Sequence, residues 1–245
     1  MAHGTPDWWG MTPKKTTVFA AIDMAELAVR LGSIVTFDRL GDVVYADDFE
    51  GSFEKYTTWS IGTGALVDRS SRSYRSKTSS ARLRGGSDDE RFARIATGCV
   101  YQAPSKLGFE ISFAGVDYVT TEYIQIYIRL NAPTGRFYAG IRYDCYNEQL
   151  YFLNSADAWQ AFGDMFMLIP IVYVFNTLKF VIDPDTQKYV RCRINHLTFP
   201  MTQNFYRWGN PTEVGSIDIQ LEVKSVAGYN ATVFFDDLIV TQNEP

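Results

Sequence analysis

Histidine and cysteine are the scarcest reactive side chains in this sequence of 245 residues, with two of the first and three of the second. A nucleophilic triad needs a histidine within reach of a serine or cysteine. His3 lies near the start of the chain, and His196 sits in NHLT (195–198), which reads as a hairpin turn. Cys99, Cys145 and Cys192 are too widely spaced for a zinc knuckle and too few for a disulfide framework. They are expected as free, half-buried thiols that pack as small hydrophobes, in a chain made in a reducing cytoplasm. No apolar run reaches the roughly 20 residues of a membrane-spanning helix; the most apolar stretch, 166–175, is about half that. No basic excess marks a nucleic-acid binder, since 23 Lys+Arg stand against 28 Asp+Glu for a formal charge of −5. GxSxG, P-loop, HExxH and GxGxxG patterns are absent. The opening residues lack the charged and apolar regions of a secretory signal. The sequence therefore leads to the expectation of a non-enzymatic protein that neither inserts in membranes nor binds nucleic acid.

What is abundant is aromatic: 17 Phe, 15 Tyr and 5 Trp. A disordered chain would be poorer in such residues. From residue 33 onward the pattern is that of strands. In YIQIYIRL (123–130), Ile124, Ile126, Ile128 and Leu130 share one face, and Tyr123, Gln125, Tyr127 and Arg129 share the other. Strands are predicted at 80–84, 91–97, 107–113, 122–130, 137–143, 149–153, 173–182, 189–194, 217–223 and 232–240. DPDTQ (183–187) is a turn, and residues 34–37 and 42–45 form a hairpin with Gly41 in its turn. Strands at this spacing without helical patterns between them predict an all-β fold, a β-sandwich jelly roll over 33–245.

Residues 1–32 read differently. Gly4, Pro6, Gly10 and Pro13 mark an extended arm carrying Trp8 and Trp9. Asp23 and Glu26 form a capping box, Met24, Leu27, Ala28 and Leu31 share a face, and Gly32 stops a short α-helix over about 23–31. Such a helix is too short to stand alone. Trp8, Trp9, Leu27 and Leu31 are thus candidate anchors on a neighbouring subunit; the other reading folds them onto their own domain.

Acidic residues gather at both ends of the sandwich: Asp47, Asp48 and Glu50, then Asp236 and Asp237. Paired carboxylates serve glycosidases, but the strands offer Tyr and Arg where such enzymes place Glu. First and last strands of a jelly roll are often neighbours, so Asp48, Glu50 and Asp236 are candidate oxygen ligands of a structural calcium ion. The other reading is that these acids guard edge strands. The basic stretch 69–77 is followed by Asp88, Asp89 and Glu90, which neutralise it, and reads as a solvated loop. Trp59, Tyr123, Tyr127 and Trp159 are candidate sugar-stacking faces; strand aromatics also simply build cores.

Two segments carry a resemblance. DDFEG (47–51), Trp59 and RSYRSKTSSARL (72–83) resemble the opening of carbohydrate-binding-module-like sandwiches of the concanavalin or galactose-binding type, and VFFDDLIV (233–240) resembles their closing strand. That resemblance implies a jelly roll, often with structural calcium. MAHGTPDW (1–8), ELAVRLGSIVTFDR (26–39), LNSA (153–156) and IVTQNEP (239–245) are similar to an uncharacterised group of phage-like and environmental bacterial proteins. The combined expectation is a structural assembly protein of a phage virion, a capsid decoration or tail-associated component. Its arm would dock on like or other virion subunits, and it would be made in the host cytoplasm. The alternative is a carbohydrate-binding module that adheres to glycans at a cell surface or outside the cell.

Overall fold

The computed structural model describes residues 40–76, 78–88, 90–100, 105–132, 135–209 and 215–245. The expected helix at 23–31, the strand at 34–37 and Trp8, Trp9, Leu27 and Leu31 lie outside the described residues. Within them the chain is a sandwich of two eight-stranded antiparallel sheets. Sheet A runs β13 (Leu197–Pro200), β12 (Lys188–Ile194), β11 (Asn176–Asp183), β6 (Leu107–Ala114), β16 (Thr232–Gln242), β4 (Ser80–Arg84), β3 (Leu66–Ser70). Long β16 has room for a second neighbour, and β1 (Asp42–Asp47) pairs with its later half. Sheet B runs β10 (Trp159–Phe162), β9 (Gln149–Leu153), β8 (Gly135–Asp144), β7 (Thr121–Ala132), β15 (Ser216–Ser225), β5 (Phe92–Val100), β2 (Thr57–Ser60). The short β14 (Tyr206–Arg207) pairs with β8.

Strand alternation explains the layering. Ile124, Ile126, Ile128 and Leu130 of β7 are buried against Phe109, Phe113, Phe180 and Phe235 of sheet A. Ring pairs such as Phe109–Phe180, with centroids 5.3 Å apart, fill the layer between the sheets. All three cysteines are free; Cys145 and Cys192 are buried, and burial raises their thiol pKa values, which makes them inert. His196 lies in the turn between β12 and β13, as its surroundings predict.

Two expectations need correction. The strand predicted from 173 begins at Asn176. The most apolar stretch of the sequence instead belongs to the connection between β10 and β11, where Phe166 and Leu168 turn inward while Met165, Met167, Ile171 and Tyr173 are exposed. The loop after β3 is also less solvated than its charge suggests. Ser73 and Ser76 are buried in it, and their neighbour Arg75 donates its backbone N–H to Asp236 Oδ2 at 2.7 Å.

One core residue ties the two sheets together. Tyr189 of β12 is fully buried, and its hydroxyl crosses to sheet B. It accepts from the Gly140 N–H at 2.8 Å and lies 3.0 Å from the Leu153 carbonyl. The ladder between β8 and β9 ends at the Ile141–Phe152 pair, and the phenol fills the gap beyond it. Tyr189→Phe leaves a buried N–H and C=O unmatched, an expected loss of about 1–3 kcal/mol. Urea unfolding of the variant checks this; unchanged stability would show that the phenol is dispensable.

Candidate functional site

The outer face of sheet B carries the chemistry. Because β7 sends its Ile residues to the core, its alternate residues Tyr123, Gln125, Tyr127 and Arg129 face outward. Register carries this alternation across the sheet. Trp59 lies opposite Arg94, Arg94 opposite Glu222, Glu222 opposite Gln125, Gln125 opposite Arg142, and Arg142 opposite Tyr151. The adjoining row runs Ala96, Gln220, Tyr127, Gly140. All four expected ligand-stacking residues, Trp59, Tyr123, Tyr127 and Trp159, thus stand on one face.

A polar network underlies them. Glu222 is almost fully buried. Its Oε1 accepts from the Tyr123 hydroxyl at 2.7 Å and from Gln125 Nε2 at 3.0 Å, and its Oε2 accepts from Arg94 Nε at 2.6 Å. Gln125 in turn offers Oε1 to Arg142, whose Nε and Nη2 donate at 3.0 and 2.7 Å. The Arg142 guanidinium lies 3.9 Å from the Tyr123 ring and 4.1 Å from that of Trp159. Burial raises the Tyr123 phenol pKa, with the Glu222 charge adding to it, so this hydroxyl stays a donor.

A buried glycine lets two rings close over the centre. A Cβ at position 140 would sit 3.0 Å from Trp159 Cη2 and 3.4 Å from Tyr127 Cδ2. Its absence lets the indole and the phenol lean in from two sides over a floor of backbone. From Tyr127 an aromatic strip continues to Tyr138 at 5.7 Å and on to Tyr206 and Trp208, 5.9 and 6.0 Å from Tyr138. Trp59 stands on the opposite edge strand, 5.6 Å from the Arg94 guanidinium and more than one-third exposed. Sequence reasoning found the aromatics and missed Gln125, Gly140, Arg142 and Glu222. Their only signal was their outward parity in strands already recognised.

A second cluster lies where β1 meets β16. Asp47 faces Leu238 across the pairing, so the acidic ends of the chain do meet. Asp47 accepts from Lys55 Nζ, the Phe49 N–H and the Tyr56 hydroxyl. Glu50 accepts from the N–H groups of Thr78 and Ser79 at 2.6 and 2.7 Å and from the Thr78 hydroxyl at 2.8 Å. Partial burial pushes its pKa up, but these donors outweigh that and hold it at about 2. Asp236 accepts from the N–H groups of Arg75 and Ser76. Asp48 stands beside them, and its charge acts on Asp237. Asp237, at φ +50° in the irregular stretch of β16, is the exception. Its side chain is buried and, among the described residues, both carboxylate oxygens lack a hydrogen bond, with Arg75 Nη1 3.6 Å away. Burial, then the Asp236 charge, raises its pKa to about 7. Among the described residues no three His, Cys, Asp or Glu side chains converge on one point. The expected ligands Asp48, Glu50 and Asp236 are therefore not brought together as one donor set, and Glu50 and Asp236 are already engaged by N–H donors.

The raised pKa has a sign. Below about pH 4 the folded and unfolded chains both hold this proton, and between about 4 and 7 the folded chain holds more of it. The stability from Asp237 is thus complete at low pH and lost as pH rises through about 7. Asp237→Asn is expected to raise the Tm at pH 8 in the presence of a chelator and leave it nearly unchanged at pH 4. Equal shifts at both pH values would contradict this assignment.

Comparison places the fold. No family model matches the sequence, no curated protein matches it significantly, and no family match supports the phage-like grouping. Solved structures do match. The cellulose-induced protein Cip1 superimposes with a TM-score of 0.54 at 14% identity, over 80% of this chain and 96% of that one. An endo-β-1,4-glucuronan lyase from the fungus Trichoderma reesei gives 0.54 at 12% identity, over 82% and 95%. A sialidase gives 0.52 at 9% identity, over 85% of this chain and 19% of its own. This chain shares their β-sandwich. At these identities the likeness concerns fold.

The expectation of a non-enzyme is corrected by the same comparison. A lyase built on this sandwich shows that the fold supports catalysis. Missing motifs carry little weight here, because a sheet face assembles its site from distant strands and leaves no compact sequence signature. Among the described residues no helix is long and apolar enough to cross a membrane.

Proposed function

We propose that the outer face of sheet B binds a carbohydrate chain. The observation that carries this is the pair of half-buried rings Trp159 and Tyr127, closed over the buried Gly140, with a satisfied polar network beside them. Aromatic faces suit the apolar faces of sugar rings, and fixed polar groups orient hydroxyls. The strip through Tyr138 to Trp208 gives a chain somewhere to continue. Such a face works where polysaccharide is met, at a cell surface, outside the cell or on a virion. Affinity electrophoresis in gels containing plant, fungal and bacterial polysaccharides tests it. Trp159→Ala is expected to weaken retention at least about tenfold, or 1.4 kcal/mol, without lowering the Tm. Retained polymers are also read for chain scission, since the sandwich admits enzymes. A retention unchanged by Trp159→Ala would move the site elsewhere.

The calcium reading moves in this proposal from Asp48, Glu50 and Asp236 to Asp237, the buried carboxylate. A bound cation favours the charged form, so calcium at pH 8 is expected to raise the Tm of the wild type and not of Asp237→Asn. A role in virion assembly is the second reading, favoured by the exposed apolar residues Met165, Met167, Ile171 and Tyr173. Light scattering on the full chain tests it, with self-association expected and a monomer at high concentration counting against it.

A further inference from the structure

We propose that the saccharide on sheet B is an acidic one, whose carboxylate or sulfate is taken by Arg142. This rests on the glycan reading of that face and specifies its ligand. The neighbouring cations are matched to carboxylates. Arg94 pairs with Glu222, Arg129 with Asp218, and Arg91 and Lys224 with Glu122. Arg142 makes no ion pair among the described residues; Gln125, a neutral amide, holds it. The carboxylates around it are already engaged. Glu222 serves Arg94, Tyr123 and Gln125, Glu122 serves Arg91 and Lys224, and Asp144 accepts from the Asn147 N–H at 2.8 Å.

The geometry favours an anion of planar or forked shape. A guanidinium presents five N–H donors in one plane. Gln125 takes the Nε edge, and among the described residues no hydrogen-bond partner takes the terminal edge, where one N–H from each Nη runs parallel. That edge matches a carboxylate or sulfate bidentately. The rings of Tyr123 and Trp159 fix the plane, so little freedom is lost on binding. Trp159 also packs over Gly140 beside Tyr127, which puts the aromatic rings and the cation within one sugar unit of each other. Burial already disfavours the charged form of Arg142, and a bound anion removes that penalty.

The test uses the full chain and a matched pair of polymers: a polyuronate and the same polymer with its carboxylates reduced to alcohols. A sulfated galactan without uronate is the third ligand, and a neutral β-glucan the fourth. The polyuronate or the sulfated galactan is expected to be retained at least about tenfold more strongly than the two neutral polymers. Preference between the two acidic polymers identifies carboxylate or sulfate as the group recognised. Arg142→Met, which keeps the aliphatic stack and removes the charge, is expected to erase the preference. Equal retention of the polyuronate and its reduced form, with no preference for the sulfated galactan, overturns this inference and leaves the glycan-binding face standing. This arm needs no variant, so a misfolded Arg142→Met does not blunt it. Retention of none of the four polymers overturns the inference together with the reading it rests on.

Discussion

Glu222→Ala is expected to destabilise the protein by about 3 kcal/mol and to weaken glycan binding at the same time. The carboxylate is almost wholly buried and satisfies three partners. Its loss leaves the Gln125 amide, itself only 8% exposed, without an acceptor, and frees the Tyr123 hydroxyl. Arg94 is less harmed, because its side chain is 30% exposed and water replaces part of the lost pair. The functional effect follows from the chain of contacts. Glu222 fixes the amide of Gln125, and Gln125 fixes the plane of Arg142. Glu222→Gln keeps the shape and one acceptor, so it is expected to fall between wild type and alanine. Urea unfolding followed by tryptophan fluorescence reads the stability, and affinity electrophoresis reads the binding. A loss under about 1 kcal/mol would mean that the network is incidental.

The reasons this network was hard to read in the sequence are physical. The faces of β7 were legible because Ile124, Ile126, Ile128 and Leu130 alternate without a break, which also placed Tyr123 and Tyr127 outward. Which residues stand beside them was not legible. Gln125 meets Glu222 across 97 positions of sequence, and only the register of β7 on β15 decides that encounter. Arg142 needs the register of β7 on β8 in addition. The edge strand β2 had no alternation to detect, since all four of its residues are exposed. The stretch 166–175 misled for the opposite reason, since its apolar residues are split between core and solvent in a connection. At β16 the pair Asp236 and Asp237 was visible, but the two look alike in sequence. A positive φ at Asp237 separates them, turning one toward amide donors and leaving the other unsatisfied.

Glu244→Ala, or ending the chain at Asn243, is expected to cost about 3–5 kcal/mol, the range for stripping one partner from a buried ion pair. The penultimate residue of the sequence looks like a frayed tail, yet its side chain is fully buried on sheet A. Oε1 meets Lys179 Nζ at 2.7 Å and the Thr241 hydroxyl at 2.5 Å, and Oε2 meets Arg191 at 2.5 Å. Lys179 is itself only 3% exposed in its side chain, so removal of Glu244 takes a carboxylate partner from a cation where water does not reach it. Replacing both partners is a different experiment, because a hydrophobic pair of similar volume carries no desolvation penalty. Lys179→Met with Glu244→Met is therefore expected to recover much of the loss. The comparison is best made at pH 6, where Glu110 is mostly protonated, since burial raises its pKa to about 7. Glu110 lies opposite Lys179 in the β6–β11 ladder and would otherwise become the next stranded charge. A double variant no more stable than the single one would show that Lys179 is held by its other contacts, and that the tail acts through packing instead of charge.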